Sequence, residues 1–336
     1  MTPGRRRRIV ALAGAAGLAA LTLAVILLNR TPPSLPLPNP NGYDDFLSAG
    51  KLVTGPTASP PPFDRDRLQI VVTTNQEALR LLRLGLSRRC SVPTDSALTN
   101  VAGWSGELAR LKHLAQLLGD VGRWHEVNNR PREAALTYTD IIRFGNEISR
   151  GGFLFHRLVG SSCEAIGLSP LAKLVPKLEA GDARAVMAEL EEVDRTRVAS
   201  DEIQRNQRKL SASRAGWWRN PVVWVRDAWK IRQVNRTCQA SIQRVVVQER
   251  LLLTELALRC HRSERGRVPA DLGVLVPDYL SRVLGDPFSG KPLVFRPQGT
   301  NWLLYSVGTD HVDDGGKPKG QGIEGKGDLF FDTPSY

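Results

Sequence analysis

The chain has 336 residues, is 41 % hydrophobic and carries a formal net charge of +12, a composition that permits folded cores and excludes global disorder. Four of the positive charges fall on Arg5, Arg6, Arg7 and Arg8, and the remainder is still basic, with Arg outnumbering Lys. The four cysteines, Cys90, Cys163, Cys238 and Cys260, form no CxxC pair, so a zinc ribbon or a thioredoxin-type centre has no support.

Behind the arginines, Ile9 to Leu28 is an uncharged apolar run closed by Asn29 and Arg30. About 20 apolar residues at roughly 1.5 Å rise span a bilayer core, and flanking arginines stay cytoplasmic. The run is longer than the apolar region of a signal peptide, about 7 to 15 residues, and lacks a small-x-small cleavage site. Residues 1–30 are therefore expected to be a signal anchor: one transmembrane helix in the inner (cytoplasmic) membrane, N-terminus cytoplasmic, bulk extracytoplasmic in the periplasm. The partners that follow are membrane lipid, met through this helix, and envelope polymers or proteins met by the basic body, with no nucleic acid.

Residues 31–67 hold Pro32, Pro33, Pro36, Pro38, Pro40, Pro56, Pro60, Pro61 and Pro62. Proline fixes φ and removes an N–H donor, so this stretch is expected to be an extended linker. An island at Asn41–Phe46 interrupts it, with Tyr43 and Phe46 available to dock on the folded part.

Residues 68–237 show helical periodicity. The apolar stripes are Leu108, Leu111, Ala115 and Leu118; Ala134, Ala135, Tyr138, Ile141, Ile142 and Gly145; Leu154, Leu158, Val159 and Ile166; Leu171, Leu174, Val175 and Leu178; and Val186, Met187, Leu190 and Val193. Breaks are expected at Gly122, Pro131, Gly151 to Gly152, Pro170 and Gly181. The fold class is thus mainly α, an array of helical hairpins for which a tetratricopeptide-like solenoid and an irregular bundle both stand open. Near its end, Trp217, Trp218, Trp224 and Trp229 are interleaved with Arg219, Arg226 and further basic residues. Indole and guanidinium together suit a membrane interface or a partner surface, while Trp218, Val222, Val225 and Trp229 also make a core-facing stripe.

Residues 238–336 are expected to be a small α+β domain. A long apolar stripe from Ile242 to Cys260 ends before Gly266 and Pro269, and Cys238 and Cys260 on one helix, about 33 Å apart, cannot pair. Short β-type runs at Leu293–Arg296 and Trp302–Val307, split by Pro297, Gln298 and Gly299, predict an antiparallel hairpin. Four elements follow in order: Gly266-Arg267-Val268-Pro269, Pro277-Asp278-Tyr279-Leu280, Asp286-Pro287-Phe288-Ser289-Gly290-Lys291-Pro292 and Tyr305-Ser306-Val307-Gly308-Thr309-Asp310. With them this region resembles the globular head of the major pseudopilins of type II secretion (general secretion pathway protein G-like), without that family's prepilin N-terminus. The resemblance implies a helix packed on a small sheet, a link to secretion, and a final loop that binds calcium, with Asp310, Asp313, Asp314 and Asp328 at the acidic positions.

No catalytic motif is complete. Gly320 to Gly325 spells GxGxxG but lacks the strand and helix that a phosphate loop needs. His125-Glu126 is followed by Asn129 where a zincin has its second histidine. The expected function is a non-enzymatic, membrane-anchored structural or partner-binding protein of the envelope. The alternative is an envelope-polymer hydrolase using the C-terminal carboxylates.

Overall fold

A computed structural model describes residues 36–94, 101–214, 221–318 and 327–332, without the side chains of 101–103, 210–214 and 221–235. The chain divides into two units, Met1–Leu37 and Pro38–Tyr336. The expected anchor lies outside the described residues. Pro38–Tyr336 is mainly helical, with one two-stranded antiparallel sheet near its C-terminal end.

The first helix, α1 (Gly42–Leu52), lies inside the stretch expected to be extended linker. Asn41 starts it: its Oδ1 accepts the Tyr43 and Ser91 amides, and its Nδ2 donates to the Ser91 carbonyl. A side chain that mimics backbone pairing in this way both caps the helix and fastens it to a distant loop. Tyr43 and Phe46 are completely buried. Proline excluded helix only around this island, and two aromatic rings supply enough apolar area to draw the segment into the core.

Helices α2 (Arg65–Thr74), α3 (Gln76–Leu86), α4 (Val101–Val127), α5 (Pro131–Glu147) and α6 (Leu154–Leu174) follow. The expected stripes of α4 and α5 are buried. Pro131 opens α5, where a missing N–H costs nothing. Gly122 and Pro170, expected as breaks, are interior to α4 and α6. Gly122 is instead a packing position: a Cβ there would overlap the Tyr138 ring. Gly145 and Gly160 face one another across α5 and α6, and a Cβ at Gly145 would lie 2.5 Å from the Gly160 carbonyl.

In α6 the expected stripe of Leu154, Leu158, Val159 and Ile166 is only half buried. The buried face carries His156, Arg157, Gly160, Ser161, Cys163 and Glu164. Among the described residues one stretch, Leu154–Lys177, is long and apolar enough to cross a membrane. It is internal, and its buried Arg157 and Glu164 pack within the body.

After α7 (Ala180–Arg195) and α8 (Ser200–Arg214) comes α9, Pro221–Arg265, a single helix of 45 residues. The expected domain boundary at 237/238 falls inside it. From Arg244 to Leu258 every residue but Arg250 is buried, because α9 contacts α6 and α7 as well as the C-terminal segment. Cys238 and Cys260 both lie on it, and all four thiols are free.

The helix is followed by Gly266 at φ +69°, the left-handed position that glycine fills at helix ends. Strands β1 (Val294–Gln298) and β2 (Asn301–Tyr305) pair antiparallel, Val294 opposite Tyr305 and Gln298 opposite Asn301. A two-residue turn, Gly299-Thr300, joins them, with Gly299 at φ +63°. Asp286 locks this unit: its Oδ1 accepts the Phe288 amide at 2.9 Å and its Oδ2 the Val307 amide at 3.1 Å.

Candidate functional site

Seven residues separate Arg157 from Glu164, two turns of α6, so both side chains leave the same face of the helix. The guanidinium meets the carboxylate with two bonds, at 2.5 and 3.2 Å. Arg197, in the connection between α7 and α8, adds a third bond to Glu164 at 3.1 Å and also pairs with Glu249 of α9. Arg197 thus bridges two carboxylates from two helices, both of them fully buried.

Burial alone would raise the Glu164 carboxyl, but Arg157 and Arg197 overcome it and hold the group below the usual range. Glu249 goes the other way. Burial, which Arg197 only partly offsets and to which Glu164 and Asp194 add, pushes it up to about 7. The two glutamates flank one arginine and share its charge unequally.

A second set adjoins the first. Asp194, at the end of α7, accepts from Arg250 at 2.8 Å and from Arg282 at 2.5 Å. Arg250 also donates to the Gly285 carbonyl at 2.8 Å, fastening the C-terminal unit to α9.

These groups border a cavity of about 530 Å³. Its charged lining consists of Arg157, Arg197, Arg250 and Asp194. Its apolar walls are Leu154, Val198, Ile203, Ile242, Val246 and Pro287, and the exposed Gln204 and Gln239 stand at its rim. The first turn of α8 contributes Ser200, so the positive end of that helix dipole borders the same space. Two buried polar atoms, Arg197 Nε and Glu249 Oε1, have no hydrogen-bond partner among the described residues. The cavity can hold a ligand by charge and apolar contact.

The C-terminal loop gathers the expected acidic residues around its own backbone. Asp328, fully buried, accepts the Asp314 amide at 3.5 Å and the Gly316 amide at 2.7 Å. Asp313 accepts from the Tyr305 hydroxyl at 2.6 Å, the Gly315 amide at 2.9 Å and Arg296 at 3.0 Å. Asp310 accepts from Val312 and Gly327. Burial raises the Asp328 carboxyl, and Asp313 and Asp314 add to the rise. The Tyr305 bond, then the Gly315 amide and Arg296, lower Asp313. Among the described residues no three His, Cys, Asp or Glu side chains converge as a metal set.

Trp217, Trp218 and Arg219 lie outside the described residues, and Trp224, Arg226 and Trp229 belong to α9 with side chains outside them. The buried arginine network was not among the expected sites. Its signal was present: Gln248-Glu249-Arg250 interrupts an apolar run from Val245 to Leu253, and Arg157 and Glu164 interrupt another. Charges in such positions must be paired when buried. Comparison with known protein families, characterised proteins and solved structures returned no match to this chain.

Proposed function

We propose that this chain is a membrane-anchored, extracytoplasmic binding protein of the cell envelope, held by its N-terminal apolar run and without catalytic activity. The observation that carries the binding role is the cavity between α6 and α9, whose arginines and Asp194 are all engaged in ion pairs. Engaged charges of this kind position a ligand, whereas catalysis needs a nucleophile or base within reach of a reacting atom. The run of Arg5 to Arg8 before Ile9 to Leu28 supports the location, and the order of helix, turn and hairpin from α9 to β2 supports a pseudopilin-like, secretion-linked head.

Calcium at Asp310, Asp313, Asp314 and Asp328 belongs to the same proposal. A cation there would compete with Arg296 for Asp313 and with the Gly316 amide for Asp328. Calcium titration followed by thermal unfolding is expected to raise Tm, and an unchanged Tm removes the ion from the reading.

The test of location is an alkaline phosphatase fused after Tyr336, active only outside the cytoplasm. An active fusion that needs detergent for extraction is the expected result, and an inactive one overturns the envelope assignment. The rival reading, an envelope-polymer hydrolase built on Asp310, Asp313 and Asp314, replaces this one if wall fragments are turned over and turnover dies in Asp310→Ala.

A further inference from the structure

The lining of the cavity is asymmetric in a way that specifies what fits. Three of its four charged groups are arginines, with side chains 3 % (Arg157), 10 % (Arg197) and 19 % (Arg250) exposed. Ile203, Ile242 and Val246 form the apolar wall beside them, and uncharged glutamines stand at the rim. Arg197 also lines this space, held there by its bonds to Glu164 and Glu249.

Resting on the binding role proposed above, we infer that this cavity takes a small amphipathic organic anion, its carboxylate or phosphate head on Arg157 and Arg197 and its apolar body against Ile203, Ile242 and Val246. A volume of about 530 Å³ suits such a molecule, since ligand pockets run roughly 300 to 1,000 Å³. Planar guanidinium groups match carboxylate and phosphate oxygens. The carboxyl of Glu249 supports the same sign: pushed up to about 7, it is partly protonated near neutrality and leaves the arginine cluster more positive.

The test is calorimetric titration of the full chain in lipid nanodiscs with phenylacetate, benzylphosphonate and the neutral phenylacetamide, against empty nanodiscs. At least one anion is expected to bind with a Kd of roughly 1 mM or tighter, a range in which a tenfold change is easily read. The amide is expected to bind at least tenfold more weakly, and the tighter anion names the head group. Ile242→Trp, which fills the wall, is expected to weaken binding at least tenfold with unchanged circular dichroism. Gln239→Glu changes only the exposed rim and is expected to repel the anion, weakening it several-fold even if the tryptophan variant does not fold. No heat with either anion, equal binding of the amide, or a Gln239→Glu variant that binds as before overturns the inference. Anion binding by a protein whose phosphatase fusion is inactive would uphold the cavity and remove the envelope assignment, so the two fail separately.

Discussion

Two regions of this molecule use the same residue types in opposite ways. In the helical core, Glu164 and Glu249 are fully buried, and Arg157 and Arg197, 3 % and 10 % exposed, pair with them. In the C-terminal loop, Asp313 and Arg296 are about half exposed and keep their water. The contrast shows that an ion pair matters chiefly through what its loss leaves behind: an uncompensated charge in the core, a hydrated side chain in the loop.

The sharpest way to break this comparison is Glu164→Ala. It leaves two buried arginines without their shared carboxylate, and a loss of about 3–5 kcal/mol is expected from denaturant unfolding. A loss below about 1 kcal/mol would mean that water reaches the network and the two regions are alike.

The second test uses pH. Glu249 has its folded value raised to about 7 from an ordinary 4.5, so its contribution is fully present below the ordinary value and is lost as pH rises through the folded one. His156, lowered to about 4 by burial, acts in the opposite sense over much of this window. The informative quantity is therefore the stability of the wild type minus that of Glu249→Gln. This difference is expected to fall by a few kcal/mol between pH 4.5 and 7, and a flat difference would show that Glu249 titrates as an ordinary carboxyl.

Asn41→Ala probes the margin of the core. Losing a helix cap costs about 1 kcal/mol, and loss of the Ser91 clasp adds to it, so Tm is expected to fall by a few degrees. Were 42–52 merely a spacer, Tm would not move. The smallest effect belongs to the loop: Arg296→Met is expected to change stability by less than about 1 kcal/mol, with more of that change lost in high salt.

Much of this architecture was legible in the residues. Three-and-four spacing fixed the buried faces of α4, α5 and α7, and Gly299 between two β-type runs marked the hairpin. What periodicity misread has a common cause. A one-dimensional pattern registers apolar side chains, so it assigned α6 the stripe through Leu158 and Ile166 and overlooked a buried face made of charge, glycine and cysteine. It also read Gly122 as a break, because a glycine that admits a tyrosine ring across two helices looks the same in sequence as one that ends a helix. The arginine network was the hardest to foresee: Arg197 meets Glu164 and Glu249 from 33 and 52 residues away, a proximity that only the packing of α6 against α9 creates.

That bridging position carries an expectation about the order of folding events. Arg197 sits in a connection between helices, and leaving water is favourable for its guanidinium only once both glutamates are in place. The latch is therefore expected to close late, after the surrounding helices have docked. Substitutions at Glu164 should accordingly accelerate unfolding and leave the refolding rate nearly untouched, which makes this charge bridge a determinant of how long the native state survives.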